Sequence, residues 1–283
     1  MKNNRFLSFL VVAIAYALAT AVGVAVYLLL PFGVYLNLFI ADFSATVEVF
    51  IFSLIFSNAS IYDPYWSVQP IIITVAFTLN SFSPTALLFT IVIALWGVRL
   101  TVNWAYTFTN LTHQDWRYTM LKEKTGVIYP LVNFLGIHLF PTVVVYLCVA
   151  PAVTAITTGS AVTVGAVLAL CLSVLATALQ TVSDIQMHTY RKNKTTPFIR
   201  NGLWKYSRHP NYLGEILMWW GVGLGACFSV GFHPLLLVGA TVNTLMFLFV
   251  SIPMADKRQA QKDGWAEYKS ATRMILPIYK KSR

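Results

Sequence analysis

The chain has 283 residues, 57% of them hydrophobic and 11% charged, with a formal net charge of +10. A soluble domain carries about 25% charged residues, so most of this surface is built to meet lipid. At roughly 20 apolar residues per span the length allows about eight spans and leaves no room for a separate soluble domain. The positive charge does not point to nucleic acid, because Lys and Arg are confined to segments between long apolar runs, where the positive-inside rule puts them.

In chain order, apolar runs fall near 7–30, 36–57, 68–82, 86–106, 127–150, 161–183, 213–232 and 234–254, with breaks at Pro31–Gly33, Asn80–Pro84, Thr157–Ser160 and Gly231–Pro234. This predicts an all-α integral membrane helical bundle of seven or eight transmembrane helices, forming a single domain over 1–283. Seven spans result if the short third run is re-entrant or the last two runs pair as a tight hairpin. The first run follows Lys2 and Arg5 as in a signal peptide, but it is longer than an h-region of about 7–15 residues and reads as a span. Cys148, Cys171 and Cys227 lie inside apolar runs with no metal or redox spacing and read as packing residues. Asp42 and Glu48, in the second run near the opposite face, fit either a helix-end cap or a site and are left outside the catalytic set.

Charge orients the layout. Lys2 and Arg5, Arg117 to Lys124, Arg191 to Arg208, and Lys257 to Arg283 are separated by four, two and two runs, so all fall on one side, together with both termini. The uncharged-basic segment Asn58 to Ser67, containing Tyr62-Asp63-Pro64-Tyr65-Trp66, falls on that side too.

The densest polar stretch runs from Asp184 to Glu215. Asp184, His188 and Arg191 share one helical face at i, i+4 and i+7. Pro210 suits a first helical position, which leaves free N–H groups beside Arg208 and His209, an anion site that phosphate would fill. Tyr212 and Glu215 follow one and two turns into that helix. The competing reading is an interfacial loop whose Arg, Tyr and Trp side chains anchor at headgroups.

The string Gly202-Leu203-Trp204-Lys205-Tyr206-Ser207-Arg208-His209-Pro210-Asn211-Tyr212-Leu213-Gly214-Glu215 resembles the C-terminal signature of membrane steroid 5α-reductases and their bacterial relatives. Asp256-Lys257-Arg258, Gly264-Trp265, Tyr268 and Leu276-Pro277-Ile278-Tyr279 resemble the tail of the same reductases and of sterol reductases, so the likeness covers 184–279. Upstream, His113-Gln114-Asp115-Trp116-Arg117-Tyr118 and Asp63-Pro64-Tyr65-Trp66 are similar to the bacterial branch. The resemblance implies NADPH bound from the cytoplasm by Asp184, Arg191, Asn193, Tyr206, Arg208, His209, Asn211, Tyr212 and Glu215, with His188 on the same face. Isoprenylcysteine and phospholipid methyltransferases share an Arg-His-Pro-x-Tyr motif but use S-adenosylmethionine and carry paired glutamates near the last helix; here that region reads Pro253-Met254-Ala255-Asp256-Lys257. That departure favours the reductase and leaves the methyltransferase as the alternative.

Steroid 5α-reductases also carry a Gln-Glu pair in an early span and a Tyr shortly before a later Arg. This chain lacks the pair and has Trp96 ahead of Arg99. Conjugate reduction needs a donor on the carbonyl oxygen as charge builds there, and Tyr65 with Asp63 as its partner is the expected catalytic pair, against a plain Asp-Pro turn. Arg99 and Asn103, at i and i+4, are expected to hold the pyrophosphate or nicotinamide amide, with snorkelling as the alternative for Arg99. No Gly-rich dinucleotide fingerprint follows a strand, and no metal is indicated. The expected activity is NADPH-dependent reduction of an activated carbon–carbon double bond in a lipophilic, steroid-like substrate entering from the bilayer, with membrane lipids as neighbours and no obligatory protein partner. The bacterial-type motifs point to a bacterial inner membrane, the Lys280-Lys281 tail to the endoplasmic reticulum.

Overall fold

Helices in this chain start where a side chain replaces a missing backbone partner. Asn4 accepts from Leu7 N at 3.0 Å, Ser83 from Ala86 N at 3.0 Å and Thr163 from Ala166 N at 3.1 Å. In the computed structural model, which describes residues 2–278, these caps open three of the long helices: α1 (Arg5–Leu29), α4 (Pro84–Thr107) and α8 (Val164–Lys192). The others are α2 (Val34–Ile55), α3 (Tyr65–Asn80), α5 (Trp116–Thr125), α6 (Tyr129–Val132), α7 (Phe140–Thr157), α9 (Pro210–Val230), α10 (Val238–Met246), α11 (Ile252–Gln259) and α12 (Trp265–Ala271). Two π-helical stretches, Asn133–Leu139 and Phe247–Ser251, join α6 to α7 and α10 to α11. No β-strand occurs among the described residues.

Seven stretches among the described residues are long and apolar enough to cross a membrane: α1, α2, α4, Trp116–Thr157, α8, α9 and Pro234–Gln259. The chain is an all-α, multi-pass membrane bundle. The eighth predicted span is α3, which has 16 residues and is about 24 Å long. It runs antiparallel to α4, with Ser67 Oγ 2.8 Å from Thr101 Oγ1 near one end and Thr78 Oγ1 2.7 Å from Thr90 Oγ1 near the other.

The predicted basic segments do gather at one end of the bundle. Lys2 donates to Phe56 O and Arg5 to Ala105 O, His188 Nε2 meets Asn103 Oδ1 at 2.7 Å, and the Arg258 guanidinium lies 4.1 Å over the Trp116 ring. At the opposite end Thr85 donates to Ser160 O, Thr163 to Phe228 O, and the Tyr35 and Thr154 hydroxyls are 2.8 Å apart. The Lys280–Arg283 tail lies outside the described residues.

Residues 58–64 do not lie on the surface. Phe56 is tied to Lys2, before α1, whereas Ile61 O accepts from Tyr16 OH at 2.7 Å, eleven residues into α1 beyond Arg5, about 16 Å of helix rise. The connection therefore folds back into the bundle and α3 starts inside it. Its buried polar groups are met by the 107–118 segment. Asn58 Nδ2 donates to Leu111 O, Gln114 Oε1 accepts from Ala59 N, and Asp115 N donates to Ser60 Oγ.

Helices α8 and α9 share the most extensive contact in the bundle, through small residues on α9. A Cβ at Gly221 would lie 2.1 Å from Ser173 Oγ and 2.6 Å from Ala169 O, and one at Gly214 would lie 2.4 Å from Gln180 Cγ. This contact fixes α9 against the helix that carries Gln180 and Asp184. Replacing Gly221 by Val should destabilise the protein by about 1–3 kcal/mol through overpacking, whereas Gly136→Ala, at a site with nothing within 4 Å, should be neutral. Thermal unfolding of both variants in the same detergent checks this; an unchanged melting temperature for Gly221→Val would mean the two helices are free to separate.

Candidate active site: an apolar cavity beside a buried polar cluster

Three helices contribute pairs of side chains to one polar cluster: Trp96 and Arg99 from α4, Gln180 and Asp184 from α8, Glu215 and Trp219 from α9. The pairs on α8 and α9 are spaced i, i+4 and so share a face. Glu215 is 5% exposed. Its Oε1 accepts from Trp219 Nε1 at 2.9 Å, and its Oε2 accepts from Trp96 Nε1 at 2.9 Å and Gln180 Nε2 at 3.1 Å. Gln180 Oε1 in turn accepts from Arg99, whose Nη1 is 2.7 Å from Asp184 Oδ2. The carboxylate of Glu215 is thus linked through one carboxamide to an Arg–Asp pair. Pairing at both carboxylate oxygens makes a charge tolerable in an apolar interior, and Arg99 Nε is the one buried polar atom of these side chains left without a partner. One turn further out, His188 meets Asn103 and packs edge-on against Tyr106, with ring centroids 4.8 Å apart.

Of the expected cofactor residues, Arg99, Asn103, Asp184, His188 and Glu215 are brought together here. Gln180 and the two indoles were missed. Gln180 had a signal, one turn before Asp184 on the same face; Trp96 stood out only as the residue ahead of Arg99, and Trp219 lies one turn after Glu215.

Arg208 and His209 are placed differently from the expectation of a free anion site. They are 8% and 5% exposed. Arg208 donates to Thr272 O at 3.0 Å and lies 3.3 Å from Asp256 Oδ2, and His209 Nε2 is 2.9 Å from Asp256 Oδ1. The anion they meet is a carboxylate of their own chain. Ser207 and Arg273 form a parallel bridge, and Ser207 Oγ donates to Ile275 O at 2.6 Å. The signature is therefore a clasp that holds the C-terminal segment against the start of α9. Tyr212 stacks on His209, with centroids 5.1 Å apart and planes 6° off parallel. The Oδ1 of Asn211 is buried without a partner. Arg191, Asn193 and Tyr206 are exposed, and Arg191 has no acidic partner among the described residues.

The expected Tyr65–Asp63 pair does not form. Asp63 accepts from Tyr118 OH at 2.5 Å, and burial pushes its carboxyl up to about 6. Tyr65 donates instead to Asp42 Oδ1 at 3.1 Å. Asp63 precedes Pro64 in the inward-folded connection and turns back to the 107–118 segment, while Tyr65 opens α3 and faces α2. Asp42 is thus no helix cap: it sits inside α2, buried, against Tyr65.

Tyr65 and Asp42 border a cavity of about 320 Å³ between α1, α2 and α3, walled mostly by apolar side chains such as Leu38, Ile73 and Phe77, with Thr20, Gln69 and Asn80 as the other polar residues. On the other side of the same helical turn, Asp63 and Trp66 border a second recess of about 410 Å³ with Asn103, His113, Asp115 and Arg117. One compartment is greasy and the other polar, and the first turn of α3 stands between them.

No solved structure matches this chain. A protein of Schizosaccharomyces pombe described as uncharacterized is 28% identical over 194 residues, covering 57% of this chain and 56% of that protein. The chain thus spans little more than half the length of that relative. A family model described as "Protein of unknown function (DUF1295)" matches residues 49–272, and the chain belongs to that family.

Proposed function

We propose that this protein is a membrane reductase related to the steroid 5α-reductases. In this proposal it uses NADPH to reduce the activated double bond of a lipophilic enone drawn from the bilayer. The observation that carries this is the adjacency of two compartments: an apolar cavity ending on a Tyr65–Asp42 pair, and a polar recess on the far side of the same turn.

The residues left free fit an anionic dinucleotide. Arg191 is an exposed cation without an acidic partner among the described residues, Asn211 Oδ1 is buried and unpartnered, and Asn103 and His188 border the recess or its rim. Arg208 and His209 would serve by clasping the start of α9 in position, with Tyr212 stacked above them. Arg99, Asp184 and Glu215 hold the wall behind. When bound, NADPH supplies the hydride.

The chain's own part is electrostatic. As the new C–H bond forms at the β-carbon, the electrons of the double bond move onto the carbonyl oxygen. Tyr65 donates a hydrogen bond to that oxygen, and Asp42 orients the phenol by accepting from it in the resting state. After hydride transfer, a proton drawn from solvent adds to the α-carbon and completes the reduction. The apolar walls keep water from the reacting carbon.

Equilibrium binding to the purified protein tests the cofactor directly: NADPH should bind and S-adenosylmethionine should not. The reverse would replace the reductase by a membrane methyltransferase.

For the chemistry, Tyr65→Phe should lower single-turnover rates on a panel of lipophilic enones by on the order of 10²–10³, the size expected for one lost donor to a developing oxyanion. Asp42→Asn should be milder, since it keeps a polar partner, and both should leave NADPH affinity intact. Parent-like rates in Tyr65→Phe would remove Tyr65 from the mechanism.

The basic end of the bundle should face the cytoplasm, as positive charge requires. Single cysteines at Lys2, Thr196 and Ser282 should react only from that side, and one at His233 only from the other. Labelling of any of the first three from outside would invert or break the layout.

A further inference from the structure

Buried hydroxyls in these helices mostly donate back to the carbonyl four residues earlier, as Thr74 does to Pro70 O at 2.8 Å and Thr177 to Ser173 O at 2.9 Å. Thr46, on α2, is an exception. It is 0% exposed and makes no such bond among the described residues; its Oγ1 lies 2.9 Å from Thr142 Oγ1 of α7 and beside the Tyr65 hydroxyl. Each hydroxyl has one proton and two lone pairs, and counting them fixes the resting arrangement. Thr142 donates its proton to His138 O at 2.9 Å, so it accepts from Tyr62 OH at 2.8 Å and from Thr46. Tyr65 donates its own proton to Asp42. With the protons so placed, none is left to donate to the Tyr65 oxygen. The Thr46 proton can be moved there by rotation about a single C–O bond, and Thr142 then keeps its bond from Tyr62.

We propose that Thr46 is a positioning residue for Tyr65, a two-way hydroxyl that donates to Thr142 in the resting protein and to the Tyr65 oxygen when charge builds there. During the reaction Tyr65 turns its proton from Asp42 to the substrate's oxygen. Its own oxygen, left beside a carboxylate, then becomes richer in charge. A donor on that oxygen strengthens the hydrogen bond that Tyr65 gives, because charge-assisted and chained hydrogen bonds reinforce one another in a low-dielectric interior. Thr46 does not border the cavity, so it acts through Tyr65 from behind the wall. This assignment rests on the reductase proposal for the reaction, but one of its tests needs no turnover.

Two experiments on the full-length protein in lipid nanodiscs test it. The first reads nitration by tetranitromethane, a lipid-soluble reagent that attacks the phenolate form of tyrosine, at Tyr65 relative to Tyr27, which lines the same cavity and controls for access. Thr46→Val should lower the ratio of Tyr65 to Tyr27 nitration by about tenfold, and Thr46→Ser, which keeps the hydroxyl, should restore it. An unchanged ratio in Thr46→Val, or an equal loss in Thr46→Ser, overturns the assignment. A parent in which only Tyr27 reacts also overturns it, since the Tyr65 oxygen then carries no charge for Thr46 to meet. The second experiment reads single-turnover rates on the panel of lipophilic enones. Thr46→Val should slow the chemical step by about tenfold with NADPH and enone affinities intact, and should cost nothing further in a Tyr65→Phe background. An additive loss in that double variant overturns the link to Tyr65. If the parent reduces no enone, the reductase proposal fails, and the nitration ratio alone still decides whether Thr46 donates to Tyr65.

Discussion

Inside a bilayer no water is available to complete a hydrogen bond, so each polar group carried into the bundle must find its partner in the chain. The architecture follows from how that requirement is met. Glu215 lies inside α9 at a depth where a lone carboxylate would be untenable, and it is held by two indoles and a carboxamide drawn from three helices. Those partners dictate how α4, α8 and α9 face one another. The glycines on α9 then allow the approach: without the bare backbone at Gly214, the Gln180 side chain would have no room beside it.

The same requirement shapes the inward connection before α3. Asn58 Oδ1 accepts locally from Ser60 N, but the Asn58 amide, the Ser60 hydroxyl and the Asp63 carboxylate all pair with residues of the 107–118 segment. Two loops that would each be poor company for lipid complete each other, and together they carry the start of α3 into the interior. Tyr65 reaches Asp42 only because of this depth. The cavity and the recess are two sides of one arrangement.

The sequence made the helices legible because lipid imposes a single pattern, long apolar runs broken by Pro, Gly and small polar residues. Pro84, Thr157 and Pro210 mark real ends. The alternation of basic segments gave the common end of the bundle as well. What it hid were pairings across long separations. Tyr65 and Asp63 are neighbours in the chain, but residues two apart across a proline do not face each other; the actual partner, Asp42, is 23 residues away. Arg208 and His209 read as a free anion site because their counter-charge lies beyond a whole span. A clue was present, since Asp256 is the first acidic residue after Glu215, but nothing local marks it as a partner. The indoles around Glu215 were hidden for another reason: Trp in an apolar run looks like packing until a carboxylate is found beside its N–H. Trp219, one turn after Glu215, was the readable half of that pair.

The clasp between Arg208, His209 and Asp256, with the bridge from Ser207 to Arg273, also orders events during synthesis. Arg208 and His209 emerge from the ribosome before their partners, which are made roughly 50 to 65 residues later. A nascent chain can therefore insert its first six long helices and pack α9 on α8 while the start of α9 is still unclasped. A product truncated before Asp256 would therefore keep the α8–α9 contact but leave Arg208 and His209 buried without their counter-charge.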